Sequence, residues 1–250
     1  MKTEWDYTSL AKAYLKRPDY SDEAIDRILD LSGVRRGSLI CDVGAGVAHL
    51  TLKLAQRGME VVAIEPNDAM RQLGIRRTAS FQNVRWCEGT GEETGQPRSR
   101  YDLVTFGSSF NVTDRMSALK ETCRILKPGG WFACLWNHRD LRDDIQQEIE
   151  RIIRNRLPDY DYGTRREDQQ EVIESSGLFG EVHRLEGRIL HRQSIDDCVE
   201  AWRSHGTLAR QAGSLFEGIL GEIEAFLRQL KREIIAIPYT TRGWLAQASK

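Results

Sequence analysis

Leu39-Ile40-Cys41-Asp42-Val43-Gly44-Ala45-Gly46-Val47-Ala48 decides how the rest of the chain is read. An apolar run breaks at two glycines, after which Val47, Leu50 and Leu54 recur at helical spacing as far as Gly58. The pattern predicts a strand, a glycine turn and a helix. Glycines let a backbone turn tightly and approach a ligand closely. Ligands of open α/β sheets bind at this edge, outside the carboxyl ends of the strands.

The alternation continues outward. Val61-Val62-Ala63-Ile64 is a second β-rich run, with a helix from about Asp68. Val84-Arg85-Trp86-Cys87 and Tyr101-Asp102-Leu103-Val104-Thr105-Phe106 are the third and fourth strands. A helix through Ala118, Leu119, Thr122, Ile125 and Leu126 stops at Lys127-Pro128-Gly129-Gly130, and residues 131–136 form the fifth strand. Strands alternating with helices predict a parallel sheet covered on both faces. Beyond Asn137 come a charged helix (143–156), a polar aromatic loop at Tyr160-Asp161-Tyr162-Gly163, a sixth strand near 182–187 and helices over 194–231. In the last of these, Ile219, Ile223, Phe226, Leu227 and Leu230 form a core face. Pro238-Tyr239-Thr240-Thr241-Arg242-Gly243-Trp244-Leu245 reads as a last edge strand. Ahead of the core, Ser21 is the N-cap of a helix with acidic Asp22 and Glu23 in its first turn. No linker divides the chain. It is read as one domain over 1–250, with a helical lid (1–37), a core (38–138) and two insertions (139–180 and 190–235).

The 250 residues carry 36 Lys+Arg against 37 Asp+Glu, a net charge of -1 that argues against a mainly electrostatic nucleic-acid binder. No apolar run approaches membrane-spanning length and no secretory leader is visible, so a cytoplasmic setting without a membrane partner is expected. Cys41, Cys87, Cys123, Cys134 and Cys198 are odd in number and form no C-x-x-C, which predicts buried reduced thiols and no metal site. Trp5, Trp86 and Trp131 are read as packing anchors.

Glu65 ends the second strand, 21 positions after Gly44. A carboxylate there can accept both hydroxyls of an adenosine ribose, so the ligand is expected to contain a nucleoside. In the dinucleotide fingerprint G-x-G-x-x-G the third glycine would fall on His49, which counts against NAD. The stretch instead resembles the glycine loop, acid-x-Gly-x-Gly-x-Gly, of the class I S-adenosylmethionine-dependent methyltransferases. Asp42, Gly44 and Gly46 match, and Ala48 stands where a third glycine is often found. Ile64-Glu65-Pro66-Asn67, Glu88-Gly89-Thr90-Gly91-Glu92, Phe106-Gly107-Ser108-Ser109-Phe110-Asn111 and Arg124-Ile125-Leu126-Lys127-Pro128-Gly129-Gly130 follow in the family's order over about 38–138. The flanks Tyr14-Leu15-Lys16-Arg17-Pro18-Asp19-Tyr20 and Trp136-Asn137-His138-Arg139-Asp140 are similar to a small-molecule branch that includes trans-aconitate methyltransferases.

The resemblance implies a doubly wound, mostly parallel seven-stranded sheet, a Rossmann-like α/β fold with helical cap additions. It implies S-adenosylmethionine as cofactor and S-adenosylhomocysteine as product. The reaction would be in-line methyl transfer to an O, N, S or C nucleophile of a small-molecule acceptor: a carboxylate, sugar or secondary metabolite. The insertions would shape the acceptor pocket. The cofactor residues it implies are Asp42, Gly44, Ala45, Gly46, Glu65, Pro66, Asn67, Met70, Gly89, Thr90, Gly91, Glu92, Phe106, Gly107 and Ser108, with Tyr14, Arg17 and Tyr20 closing from the lid. His138, after the fifth strand, and His205, in the cap, are the candidate catalytic groups, and Asn111, Phe110, Trp136 and Arg203 the candidate acceptor contacts. Arg139, Arg142, Arg165, Arg166 and Arg203 are suited to a carboxylate or phosphate. A protein that binds the cofactor as a sensor or partner subunit, without turnover, is the alternative.

Overall fold

Strand runs that are apolar at every position, rather than at every second one, need cover on both faces. In the computed structural model, which describes residues 7–249, that cover comes from ten helices around one sheet. In chain order the elements are α1 (Ala11–Tyr14), α2 (Asp22–Ser32), β1 (Leu39–Val43), α3 (His49–Gln56), β2 (Glu60–Ile64), α4 (Asp68–Arg77), β3 (Val84–Cys87), β4 (Tyr101–Gly107), α5 (Arg115–Ile125) and β5 (Leu126–Arg139). They continue with α6 (Asp144–Arg156), α7 (Gln170–Ser175), β6 (Phe179–Ser194), α8 (Ile195–Arg203), α9 (Gly206–Ala212), α10 (Phe216–Gln229) and β7 (Ile234–Ala248). The seven strands lie in the order β3-β2-β1-β4-β5-β7-β6. β1 to β5 are parallel, and β7 runs antiparallel to both of its neighbours.

Successive residues of a strand point to opposite faces. Cys41, Val104, Phe106, Phe132 and Cys134 pack with Leu119 and Ile125 of α5 and Ile173 of α7. Ile40, Leu103, Ala133 and Leu135 pack on the other face with Ile25, Ile28 and Leu29 of α2 and Leu50 and Leu54 of α3. A third cluster is built from α6, α8, α9 and α10 over Ile235, Ile237 and Tyr239 of β7, and contains the expected face of Ile219, Ile223, Phe226, Leu227 and Leu230. It hangs from a ladder, Leu190–Pro238 through Ser194–Ile234, that continues past the last β5–β7 pair at Arg139–Tyr239. The fifth and sixth strands are therefore longer than the 131–136 and 182–187 expected.

Two expectations change. The chain's final strand is not an edge: β7 lies between β5 and β6, because Trp244 is buried on one face and Leu245 on the other. Pro238, which a central strand resists, sits where the pairing to β5 has ended. Ser21 flanks α2 in extended backbone but makes no side-chain cap bond; its N–H instead donates to Thr241 Oγ1 at 2.9 Å.

Of the packing tryptophans, Trp86 donates its indole N–H to Thr78 Oγ1 at 2.9 Å and Trp131 packs on the α2/α3 face; Trp5 lies outside the described residues. Among the described residues no cysteine forms a disulfide, and Cys41, Cys134 and Cys198 are buried. Among the described residues no helix is long and apolar enough to cross a membrane, and no three His, Cys, Asp or Glu converge as a metal cluster.

α2 reaches β6 through Gly187. A Cβ there would run into Ser21 Oγ and come within 2.9 Å of the Ala24 nitrogen. Gly187→Ala is expected to destabilise the fold by about 1–3 kcal/mol, the usual cost of overpacking. Denaturant unfolding checks this, with an unchanged midpoint as the contrary result.

Candidate functional site

The glycine turn is built by three left-handed residues in alternation: Gly44 (φ 66°), Gly46 (φ 56°) and Ala48 (φ 74°). Ala48 thus holds the conformation that glycine adopts without penalty, and a lone methyl is the smallest side chain to force there. The two glycines differ in what they face. A Cβ on Gly44 would collide with Ser109, whose Oγ donates to Val43 O at 2.6 Å. A Cβ on Gly46 would meet nothing nearer than Gly44 O at 4.0 Å, so its bare face opens on a cavity.

Asp42 fixes this turn from below. It is fully buried, and accepts from Thr51 Oγ1 at 2.6 Å and Thr105 Oγ1 at 2.9 Å, tying β1 to α3 and β4. Burial pushes its carboxyl up to about 6, against the partial opposition of the two hydroxyls. Glu65 fixes the turn from the side: Oε2 accepts from Gly46 N at 2.8 Å and Oε1 from Asn67 N at 2.9 Å. Burial raises its carboxyl too, opposed by these two backbone bonds and by the Arg71 charge. A carboxylate offers about four acceptor sites, so Glu65 keeps capacity beyond the two backbone donors. Asn67 caps α4 by accepting from Met70 N at 3.0 Å.

These groups line a cavity of about 680 Å³, within the range of small-molecule sites. Nearly all the expected cofactor residues reach it: Tyr14, Arg17, Tyr20, Asp42, Gly44, Ala45, Gly46, Glu65, Pro66, Asn67, Met70, Thr90, Gly91, Glu92, Phe106, Gly107 and Ser108. Gly89 does not. A Cβ there would press on Ile64 and on Thr94 O, so it is a glycine for packing.

The lid is fastened at several points. Arg17 donates Nε to Ser204 Oγ at 2.8 Å and Nη2 to Ser204 O at 2.6 Å, with its Cζ 3.8 Å from the Tyr14 ring centroid. Tyr20 OH meets Ser108 Oγ at 2.9 Å. His49 joins Asp19 Oδ1 at 2.6 Å and Tyr14 O at 2.8 Å, so the residue that follows Ala48 at the start of α3 bridges lid and glycine turn.

The acceptor-side expectations fare less well. Asn111 lines the cavity. Phe110 and Trp136 do not: both are buried in the sheet core, where Trp136 Nε1 donates to Asn111 Oδ1 at 2.9 Å and so sets that side chain. Arg203 lies outside, paired with Glu217 at 3.0 Å and Glu200 at 3.6 Å. His138 is also absent from the wall, because strand alternation gives the cavity its neighbours Asn137 and Arg139 instead. His205 reaches the wall, but its Nδ1 caps α9 by accepting from Leu208 N at 3.2 Å and its ring stacks on Trp202.

Sequence reasoning missed Asn137, Tyr239 and Ser109 and did not separate Arg139 from the other arginines. Arg139 and Tyr239 are direct partners in the β5–β7 ladder, a pairing across 100 residues of sequence that carries no local signal.

Comparison with known proteins agrees with this geometry. A family model described as a methyltransferase domain matches residues 41–134. An uncharacterized methyltransferase of Mycobacterium tuberculosis (strain ATCC 25618 / H37Rv) is 36% identical over 137 residues, 55% of this chain and 54% of that protein. The ubiquinone/menaquinone biosynthesis C-methyltransferase of Idiomarina loihiensis is 34% identical over 164 residues, 61% of this chain and 65% of that protein. The chain thus spans about half the length of the first of these relatives and under two thirds of the second. Among solved structures, the phosphoethanolamine N-methyltransferase 2 of Haemonchus contortus in complex with S-adenosyl-L-methionine shares the fold. Its TM-score is 0.55 at 14% identity, over 100% of this chain and 59% of that one.

The buried Asp42 carboxyl has a pH signature. Its folded value near 6 exceeds the ordinary 3.8, so the folded state favours the protonated form and wild type loses stability as pH rises from about 4 to about 6. Asp42→Asn is spared that loss. Its stability relative to wild type is expected to rise by up to about 3 kcal/mol between pH 4 and pH 7.5, measured by denaturant unfolding at each pH. A difference that stays flat across this window would show that the carboxyl is not shifted.

Proposed function

We propose that this chain, built on a class I S-adenosylmethionine-dependent methyltransferase domain, transfers a methyl group from S-adenosylmethionine to a small-molecule acceptor. The observation that carries this reading is the junction of Gly46 and Glu65. A glycine whose bare face opens on the cavity is bonded at 2.8 Å to a buried carboxylate with acceptor sites to spare. That donor set suits a ligand whose one part lies against backbone and whose other part presents vicinal hydroxyls.

The cofactor, when bound, would supply a methyl carbon already activated by positive sulfur, open to attack by an acceptor lone pair with the C–S electron pair left on sulfur. The chain's own work is then placement and exclusion of water. Glu65 would accept from the ribose hydroxyls, and the Gly44-Ala45-Gly46 backbone would hold the methionine part. Met70 and the Thr90-Gly91-Glu92 loop, which line the cavity, would wall the adenine side. The lid closes with Tyr14 and Tyr20, held by Ser108 and by the Arg17–Ser204 bonds.

The insertions at 139–180 and 190–235 provide the acceptor side. Arg139, Ala201 and His205, all within them, line the cavity beside Asn111, Asn137 and Tyr239. Five cysteines, none of them in a disulfide, fit a reducing, cytoplasmic setting.

Calorimetric titration is expected to give saturable binding of S-adenosylmethionine and S-adenosylhomocysteine, and none of NAD. Absence of binding in folded protein would sink the reading. Glu65→Ala is expected to weaken S-adenosylhomocysteine about 10- to 100-fold, the worth of a charge-assisted pair of bonds, and Gly46→Val to abolish binding sterically. Wild-type affinity in both variants would place the site elsewhere. Radiolabelled methyl transfer to metabolite pools separates an enzyme from a cofactor-binding sensor.

A further inference from the structure

Five arginines in the second half of the chain were candidates for holding an anion, and the structure sorts them. Arg142 is exposed and paired with Asp140 at 2.9 Å. Arg203 is paired outside the cavity. Arg166 lies 4.1 Å over the Tyr162 ring and donates to Arg139 O. The side chain of Arg165 lies outside the described residues. Arg139 alone among the described four lines the cavity.

Its surroundings are those of a cation kept for a ligand. The Arg139 Cζ lies 3.9 Å from the Trp202 ring centroid and 5.7 Å from that of Tyr239. Among the described residues it donates no side-chain hydrogen bond and has no acid within ion-pair distance. An aromatic ring against the guanidinium face dehydrates that face and leaves the in-plane N–H fork as the surface for binding. The nearby charge adds to the demand for an anion. Arg166, which itself faces Glu150, is a second cation beside it, while Cys198 and His205 on the adjoining helices bring no negative charge. The acids on the cavity wall belong to other elements: Asp42 beneath the glycine turn, Glu65 after β2, Glu92 after β3 and Asp114 ahead of α5. The cavity is therefore acidic along the loops after the parallel strands and basic where β5 meets β7 and the cap.

Resting on the methyltransferase reading, we propose that Arg139 anchors an oxyanion of the methyl acceptor, a carboxylate or a phosphate, and that the acceptor is accordingly a small anion. A planar fork matches either oxyanion with two parallel bonds. The cofactor's own carboxylate is left to Arg17, which the lid brings to the wall and Ser204 orients. Tyr239, buried and opposite Arg139 in the ladder, flanks the anchored group.

The test is calorimetry at low chloride on the protein saturated with S-adenosylhomocysteine, using benzoate, inorganic phosphate and, as the neutral counterpart, benzamide. The expected result is saturable, roughly millimolar binding of at least one anion and none of benzamide. Arg139→Gln should weaken that anion about tenfold or more, with S-adenosylhomocysteine affinity held within about threefold of wild type. Binding of benzoate alone assigns a carboxylate, of phosphate alone a phosphate ester. Because glutamine also removes the stack on Trp202, Arg139→Lys is the companion variant: it keeps the charge without the fork, and should bind the anion with intermediate affinity. The proposal is overturned if neither anion binds the wild-type complex, if Arg139→Gln binds it unchanged, or if that variant loses tenfold or more in S-adenosylhomocysteine affinity, which would assign Arg139 to the cofactor. Failure of wild type to bind S-adenosylhomocysteine at all is a separate result, and removes the reading on which this one rests.

Discussion

A carboxylate sealed from water organises this protein. Asp42 receives the hydroxyls of Thr51 and Thr105, and in doing so holds three elements at fixed spacing about the end of β1. Those bonds only partly offset the cost of burial, which keeps the carboxyl near 6. Everything that gives the site its shape follows within a few residues. Gly44 can lie against Ser109 only if β1 and the loop after β4 stay in register, and Gly46 can meet Glu65 only if β2 ends level with β1. The parallel pairing Val43–Ile64 sets that level.

Much of this half was legible in the sequence because its signals are local. An apolar run, a glycine pair, an acidic residue at the next strand end and a Lys-Pro-Gly-Gly turn each act within about ten residues, and the parallel order of strands then brings their loops to one edge. Glu65, Gly46, Met70 and Thr90 fell where expected for that reason. Gly89 misled because its environment is set by Ile64 and the Thr94 carbonyl, which nothing in the motif encodes.

The cap side of the cavity was legible only in outline. Helices of the cap announced themselves by periodicity, but which side chains they aim at the cavity depends on an antiparallel ladder between segments about a hundred residues apart. One residue of register decides whether position 138 or its neighbours at 137 and 139 face the site. Trp136 and Phe110 look like pocket residues in sequence and are core residues in space, and the pocket contact goes instead to Asn111, which Trp136 holds by its indole N–H.

The ladder that runs on past β5 has a wider meaning. The cap is nucleated on two strands that belong to the sheet, yet its apolar cluster is separate from those on the two faces of the sheet. Its helices can change in length, angle and lining without disturbing a residue that holds Gly44, Gly46 or Glu65 in place. The chain is in this sense a socket with a head whose packing is its own. Among the described residues, the bonds that connect the two include Arg17 to Ser204 and Lys16 to Asp197. Those short tethers are what a new head would have to re-create in order to work on the old socket.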